Sequence, residues 1–155
     1  MVRKSKPAGG EVAAPKPCKF CQIAAGAEDA FVVFKDEAAA AFLDYRPLAI
    51  GHVLLVPLAH YPTLDELPDK AMASLAVRAK SLSRAVVTAM EAEGSFIALN
   101  TIVSQSVPHV HFHIVPRRRG DGVFASGYIW KRVAYKSDAE REQVAERIRA
   151  ALAAG

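Results

Sequence analysis

Histidine alternates with apolar residues in the stretch Pro108-His109-Val110-His111-Phe112-His113-Ile114-Val115-Pro116, which holds three of the five histidines of the chain. A strand sends successive side chains to opposite faces, so this spacing predicts a strand with His109, His111 and His113 on one face and Val110, Phe112 and Ile114 on the other. One face is made for packing and the other for chemistry. Burying three ionisable rings side by side is expensive unless they have partners. Two histidines two residues apart on a strand also suit metal ligation, so the spacing by itself leaves a zinc site open beside a catalytic one.

With 155 residues, 52% hydrophobic and 23% charged, the chain fits one globular domain with a core of its own. Its apolar runs are short and broken by charge, proline or glycine, so no membrane span is expected. Arg3, Lys4 and Lys6 are followed by no apolar segment, which argues against a secretory signal and for a cytoplasmic location. The net charge of +4 collects in the N-terminal residues and in Arg117-Arg118-Arg119 rather than along one periodic face, so a nucleic-acid partner is not favoured. The two cysteines stand as Cys18-Lys19-Phe20-Cys21, a spacing that suits a metal half-site or a redox pair better than a structural disulfide in such a compartment.

Residues 1–16, with Pro7, Gly9, Gly10 and Pro15 among lysines and alanines, read as a disordered basic tail, and residues 17–155 as a single domain. Phe31-Val32-Val33-Phe34 and the run ending Ala41-Phe42-Leu43-Asp44 suggest a β-hairpin. His52-Val53-Leu54-Leu55-Val56-Pro57 is apolar throughout, as a central strand covered on both sides would be. Met72, Leu75, Ala76, Ala79, Leu82, Val86, Ala89 and Met90 recur at helical steps and predict a long helix ended by Gly94. Residues 95–100 form a further strand, and the polar Ser104-Gln105-Ser106 leads into the histidine stretch. A last helix starts at Ser137, where Glu140 completes a capping box, and turns Val144, Ile148, Ala151 and Leu152 to one face.

Taken together, the His-X-His-X-His signature, Gly51-His52 opening a strand that ends in Pro57, and Cys18-X-X-Cys21 resemble the histidine triad family, whose members cleave or transfer nucleoside phosphoryl groups. The resemblance runs from Cys18 to about Pro116. It implies an α+β fold of two layers, a five-stranded antiparallel sheet carrying the long helix and a C-terminal helix, paired into a homodimer with a continuous ten-stranded sheet. By the same resemblance His111 is the nucleophile that forms a nucleotidyl-histidine intermediate. His113 contacts the phosphate, His52 joins the relay that fixes the tautomer and moves the proton, and Ser106 puts a hydroxyl near the leaving group. Asp44 matches the carboxylate that binds ribose hydroxyls. Phe20, Ile23, Phe42 and Tyr45 line the base pocket of a purine nucleotide, and Asn100 and Gln105 join the nucleotide-binding positions. The remaining histidines, His60 and His109, complete a structural zinc set with Cys18 and Cys21, and no catalytic metal is expected.

Two departures bear on function. The loop 100–106 is short and lacks the glycines that many nucleoside phosphoramidases carry there. The region from Arg117 onward, with Trp130 and the last helix, lies outside the resemblance and reads as a C-terminal extension. The leading expectation is a phosphoramidase-like hydrolase that attacks an α-phosphate and releases a nucleoside monophosphate. Its alternatives are a dinucleoside polyphosphate hydrolase or phosphorylase, a nucleotide-binding interaction protein with little turnover, and a metal-dependent hydrolase ligated by His109, His111 and His113.

Overall fold

A computed structural model describes residues 17–124 and 131–155, so the basic tail 1–16 and Trp130 lie outside the described residues. Five antiparallel strands form one sheet: β1 (Val32–Lys35), β2 (Ala39–Leu43), β3 (Val53–Pro57), β4 (Gly94–Ala98) and β5 (Phe112–Arg117), in the spatial order β1-β2-β3-β5-β4. Among the described residues three α-helices accompany it, α1 (Lys19–Ala25), α2 (Asp69–Ala89) and α3 (Asp138–Ala154). The fold is α+β, and among the described residues no helix is long and apolar enough to cross a membrane.

Alternation along the strands divides the apolar residues into two layers. Ala39, Ala41, Leu43, Val53, Leu55, Phe112 and Ile114 point to one side, where Leu75, Leu82 and Val86 of α2 and Val144, Ala145 and Ile148 of α3 meet them in one continuous core. Ala40, Phe42, Leu54 and Val56 point to the other side and pack against Phe20, Ile23 and Ala24 of α1. Every residue of β2 and β3 is buried, because helices cover both faces there. This explains the alanines of β2, poor strand formers in isolation but small enough to let helices approach closely. Helix α3 belongs to the same core as the sheet.

Several boundaries differ from the sequence expectations. Helix α1 was not anticipated; its signals were the apolar spacing of Phe20, Ile23 and Ala24 and the left-handed C-cap at Gly26, φ 75°. Helix α2 begins at Asp69, behind Pro68, and ends at Met90 with Glu91 in the left-handed region, so Gly94 opens β4 instead of ending the helix. The histidine strand starts only at Phe112, since the Val110 N–H donates to the carbonyl of Tyr61 (2.7 Å) and not to β3. His109 and His111 therefore lie on an extended lead-in, with the alternation intact: Val110 joins the core with Phe112 and Ile114. The capping box forms as expected on one arm, Glu140 N–H to Ser137 Oγ at 3.1 Å. The other arm shifts by one residue, Glu140 Oε2 accepting from the Lys136 N–H.

Candidate active site and metal centre

The face opposite the core carries the histidines, and Phe20 of α1 divides them. Its ring lies edge-on to both His109 (6.0 Å between centroids) and His111 (5.0 Å). On one side of it Cys18, Cys21, His60 and His109 converge until their ligand atoms all lie within 4.8 Å of one another. The closest approaches are 3.4 Å from Cys18 Sγ to His109 Nδ1, 3.4 Å from Cys21 Sγ to His60 Nδ1, and 3.3 Å between the two Nδ1 atoms. A tetrahedron with Zn–N near 2.0–2.1 Å and Zn–S near 2.3 Å has edges of about 3.3 Å between nitrogens and about 3.6 Å between nitrogen and sulfur. The far side of the ring agrees: His109 Nε2–H donates to the carbonyl of Pro57 (2.9 Å), which leaves the lone pair on Nδ1, facing the thiols. The two cysteines form no disulfide. This donor set fits a structural zinc ion that would tie α1 and the loop after β3 to the histidine segment.

On the other side of Phe20 a chain of hydrogen bonds fixes every ring proton. The Leu48 N–H donates to His52 Nδ1 (3.2 Å), so the His52 proton sits on Nε2 and is given to His113 Nδ1 (3.0 Å). His113 is thereby left as an Nε2–H donor. His111 Nδ1–H donates to the carbonyl of His109 (2.6 Å), so its lone pair is on Nε2. Burial disfavours the charged form of all three rings, most strongly at His52, with neighbouring histidines and Arg132 adding repulsion at His52 and His113; the His113 pKa falls to about 4. All three are neutral at physiological pH.

His52 reaches this place because Gly51 turns the chain into β3 at φ 90°. A Cβ at Gly51 would come within 2.5 Å of the Met90 side chain, so the close approach of loop and α2 demands glycine. The Gly51 N–H donates to the hydroxyl of Tyr135, buried in the core, whose pKa burial pushes up to about 12.

Two cavities meet at these rings. The larger, of about 770 Å³, is lined by Phe20, Ile23, Phe42 and Leu54 on its apolar side and by Asp44 and Tyr45 on its polar rim; the smaller, of about 100 Å³, is lined by Asn100 and Ser104. Ser106, His111, His113 and Arg132 stand in the walls of both. The expected nucleotide positions therefore gather at one place, with two qualifications. Gln105 lines neither cavity: its amide braces the loop, accepting from the Ile102 N–H (2.8 Å) and donating to the carbonyl of Pro62 (2.7 Å). Ile102, whose N–H the brace holds, and Ser104 both adopt the left-handed region in this loop without glycines. Asp44 is buried and already engaged, accepting from the Arg46 N–H (2.9 Å) and from Arg132 Nη1 (3.0 Å), with His52 Nδ1 at 3.5 Å. Burial raises its pKa against the pull of Arg46 and Arg132.

The family model described as the HIT domain matches residues 25–120, most of the chain. The chain belongs to the histidine triad family. Among histidine triad relatives, an adenylylsulfatase of Arabidopsis thaliana is 32% identical over 134 residues, 85% of this chain and 68% of that protein. An adenosine 5′-monophosphoramidase of Saccharomyces cerevisiae is 34% identical over 103 residues, 65% of this chain and 63% of that one. A zinc-bound histidine triad protein from Mycobacterium smegmatis superposes with a TM-score of 0.76 at 34% identity, covering 88% of this chain and 94% of its own. Arg132 is the member of this histidine triad site that the sequence did not reveal. It lies 88 residues from Asp44, in a stretch without regular structure, and no local spacing marks it.

Proposed function

We propose that the protein is a nucleotide hydrolase in which His111 attacks the α-phosphate of a purine nucleotide conjugate and a nucleoside monophosphate is released. The observation that carries this reading is the bond from His111 Nδ1–H to the His109 carbonyl, which turns an uncharged, unprotonated Nε2 toward the junction of the two cavities. The activities named for the Arabidopsis and yeast relatives, both directed at adenylyl compounds, support it. The nucleoside fills the larger cavity, its base between Phe20, Ile23 and Phe42, its ribose toward Asp44 and Tyr45, and the α-phosphate sits between His111 and His113.

The reaction runs in two displacements. His111 Nε2 forms a bond to phosphorus while the bond to the leaving group breaks, its electron pair departing with that group. His113 Nε2–H donates to a phosphate oxygen and is held in that tautomer by His52, whose own tautomer is set by the backbone of Leu48. Ser106, in the walls of both cavities, donates toward the leaving atom. Water then attacks phosphorus from the side the leaving group vacated, restoring neutral His111 and giving the monophosphate. Because the three rings are neutral, His111 need lose no proton before attack.

Zinc at Cys18, Cys21, His60 and His109 serves the fold, holding α1 and Phe20 against the histidine segment. The zinc-bound relative supports this assignment. A homodimer and a cytoplasmic location complete the reading. Strand β4 offers the open edge for pairing: among the described residues no strand joins its outer side, and Ile97 is 41% exposed there.

The test is turnover of adenosine 5′-phosphoramidate, adenylyl-lysine and diadenosine polyphosphates, with acid-quench mass spectrometry for a nucleotidyl adduct on His111. Absence of turnover on all three sinks the proposal. A 770 Å³ cavity also has room for more than one nucleoside, and faster turnover of the dinucleoside substrates favours the second reading, a dinucleoside polyphosphate hydrolase.

A further inference from the structure

We infer that Arg132 contacts the transferring phosphoryl group from the leaving-group side and selects conjugates whose leaving group departs as an anion, an inference that rests on the hydrolase reading above. The smaller cavity is lined by Asn100, Ser104, Ser106, His111, His113 and Arg132. Five of these six are uncharged in this environment, and the sixth is a guanidinium. A pocket of about 100 Å³ with hydroxyl, amide and guanidinium walls suits a small oxyanion such as sulfate or phosphate. The larger cavity has no such bias, since Asp29, Asp44, Asp138 and Glu142 balance Lys19, Arg46, Arg132 and Arg141 in its walls.

Arg132 is also held in place as a substrate-facing group must be. Its Nη1 donates to Asp44 Oδ2 (3.0 Å) and to the Arg46 carbonyl, and because the guanidinium is planar these two bonds orient the whole fork. The backbone around it is stitched to the loop before β3 at two further points, Val133 N–H to the Pro47 carbonyl (2.8 Å) and Gly51 N–H to the Tyr135 hydroxyl (3.2 Å). The carboxylate of Asp44 therefore serves as a bracket for the cation as well as a wall of the nucleoside site.

In the first displacement the bond from phosphorus to the leaving oxygen breaks and both electrons stay on that oxygen. A sulfate or phosphate leaving group needs no proton to depart, and the charge it gains is what a guanidinium N–H neutralises. An amine leaves with a proton and gains no negative charge, so Arg132 does little for it. The arginine thus discriminates by leaving-group charge, with the nucleoside half of the substrate unchanged.

The experiment compares wild type, Arg132→Gln and Arg132→Lys on adenosine 5′-phosphosulfate and adenosine 5′-phosphoramidate. Arg132→Gln should lower kcat/KM on the phosphosulfate by about 10²–10³-fold and on the phosphoramidate by less than about 10-fold, and Arg132→Lys should recover part of the former loss. Equal losses on both substrates, or none on either, overturn the inference, equal losses marking Arg132 as a brace for Asp44 alone. Should the wild type turn over neither compound, calorimetry decides the contact, and the hydrolase reading itself fails only if adenylyl-lysine and diadenosine polyphosphates are inert as well. The gap in affinity between AMP and adenosine should then narrow in Arg132→Gln, whereas an unchanged gap overturns the inference.

Discussion

The two histidine clusters on either side of Phe20 are built from the same side chain within one short segment, yet they are wired in opposite ways. Around His109 four ligand atoms crowd together, with four of their approaches at 3.3–3.5 Å, an arrangement that fits a shared cation. Around His113 the contacts are directional hydrogen bonds instead, and the protons run in a single sense from the Leu48 backbone through His52 to His113. The difference lies in what the non-facing nitrogen does. His109 gives its Nε2–H to Pro57 and turns Nδ1 to the thiols, while His111 gives its Nδ1–H to a carbonyl and turns Nε2 to the cavities. Backbone carbonyls 52 residues and two residues away thus decide which nitrogen each of these histidines presents to its surroundings.

The sharpest way to separate the clusters is to remove one ring from each. His111→Ala should lower kcat by at least about 10⁴-fold while the protein stays folded and binds AMP, a loss typical of a missing nucleophile. Cys21→Ser, or dialysis against a chelator, should instead leave kcat per folded molecule within about threefold of wild type and lower Tm markedly, as measured by calorimetry with parallel zinc analysis. If metal removal abolishes turnover at once in a protein that remains folded, the division of labour is wrong and the metal is catalytic.

Acid should strike the proton-wired cluster. The His113 pKa is depressed to about 4, and that of His52 is depressed too, relative to an unfolded value near 6.5. The unfolded chain therefore binds more protons below pH 6.5, so stability contributed by these rings is full above that pH and is lost as pH falls toward 4. Urea denaturation between pH 7.5 and 4.5 should show a decline on the order of a few kcal/mol, and His52→Gln should flatten part of the slope. A smaller effect is expected at the loop that positions His52: Gly51→Ala should cost about 1–3 kcal/mol through its positive φ and the Met90 contact, with KM little changed. Smallest of all, Gln105→Ala should cost about 1 kcal/mol and raise KM only modestly, since its amide braces the phosphate loop from outside both cavities.

What could be read from the sequence follows from how local each signal is. The strand 53–57, the long helix and the cap at Ser137 are written in periodicities and caps within a few residues of themselves. The partition of His109 toward the cysteines and of His52 toward the phosphate relay came from the resemblance to the histidine triad signature and not from spacing alone; the structure places His109 beside Cys18 and Cys21, and His52 Nε2 3.0 Å from His113 Nδ1. Three features were not legible. The start of β5 depends on the Tyr61 carbonyl capturing Val110, a contact 49 residues away in sequence. The role of Gln105 depends on Pro62, and an amide beside a serine looks the same whether it braces a loop or faces a ligand. Arg132 enters through ion pairing with Asp44 across the fold, where charge composition only counts arginines and does not place them.

The sheet has two outer edges, and they are not equivalent. Helix α3 runs beside β1, where Arg149 Nη1 donates to the outward carbonyl of Val32 (2.9 Å), whereas the described residues leave β4 open. A sheet with one available edge can take part in only one such pairing, after which neither copy has anything further to offer. Pairing through β4, as proposed above, would therefore be self-limiting as far as the described residues go: it would stop at two copies, with no further strand edge to extend into a fibre.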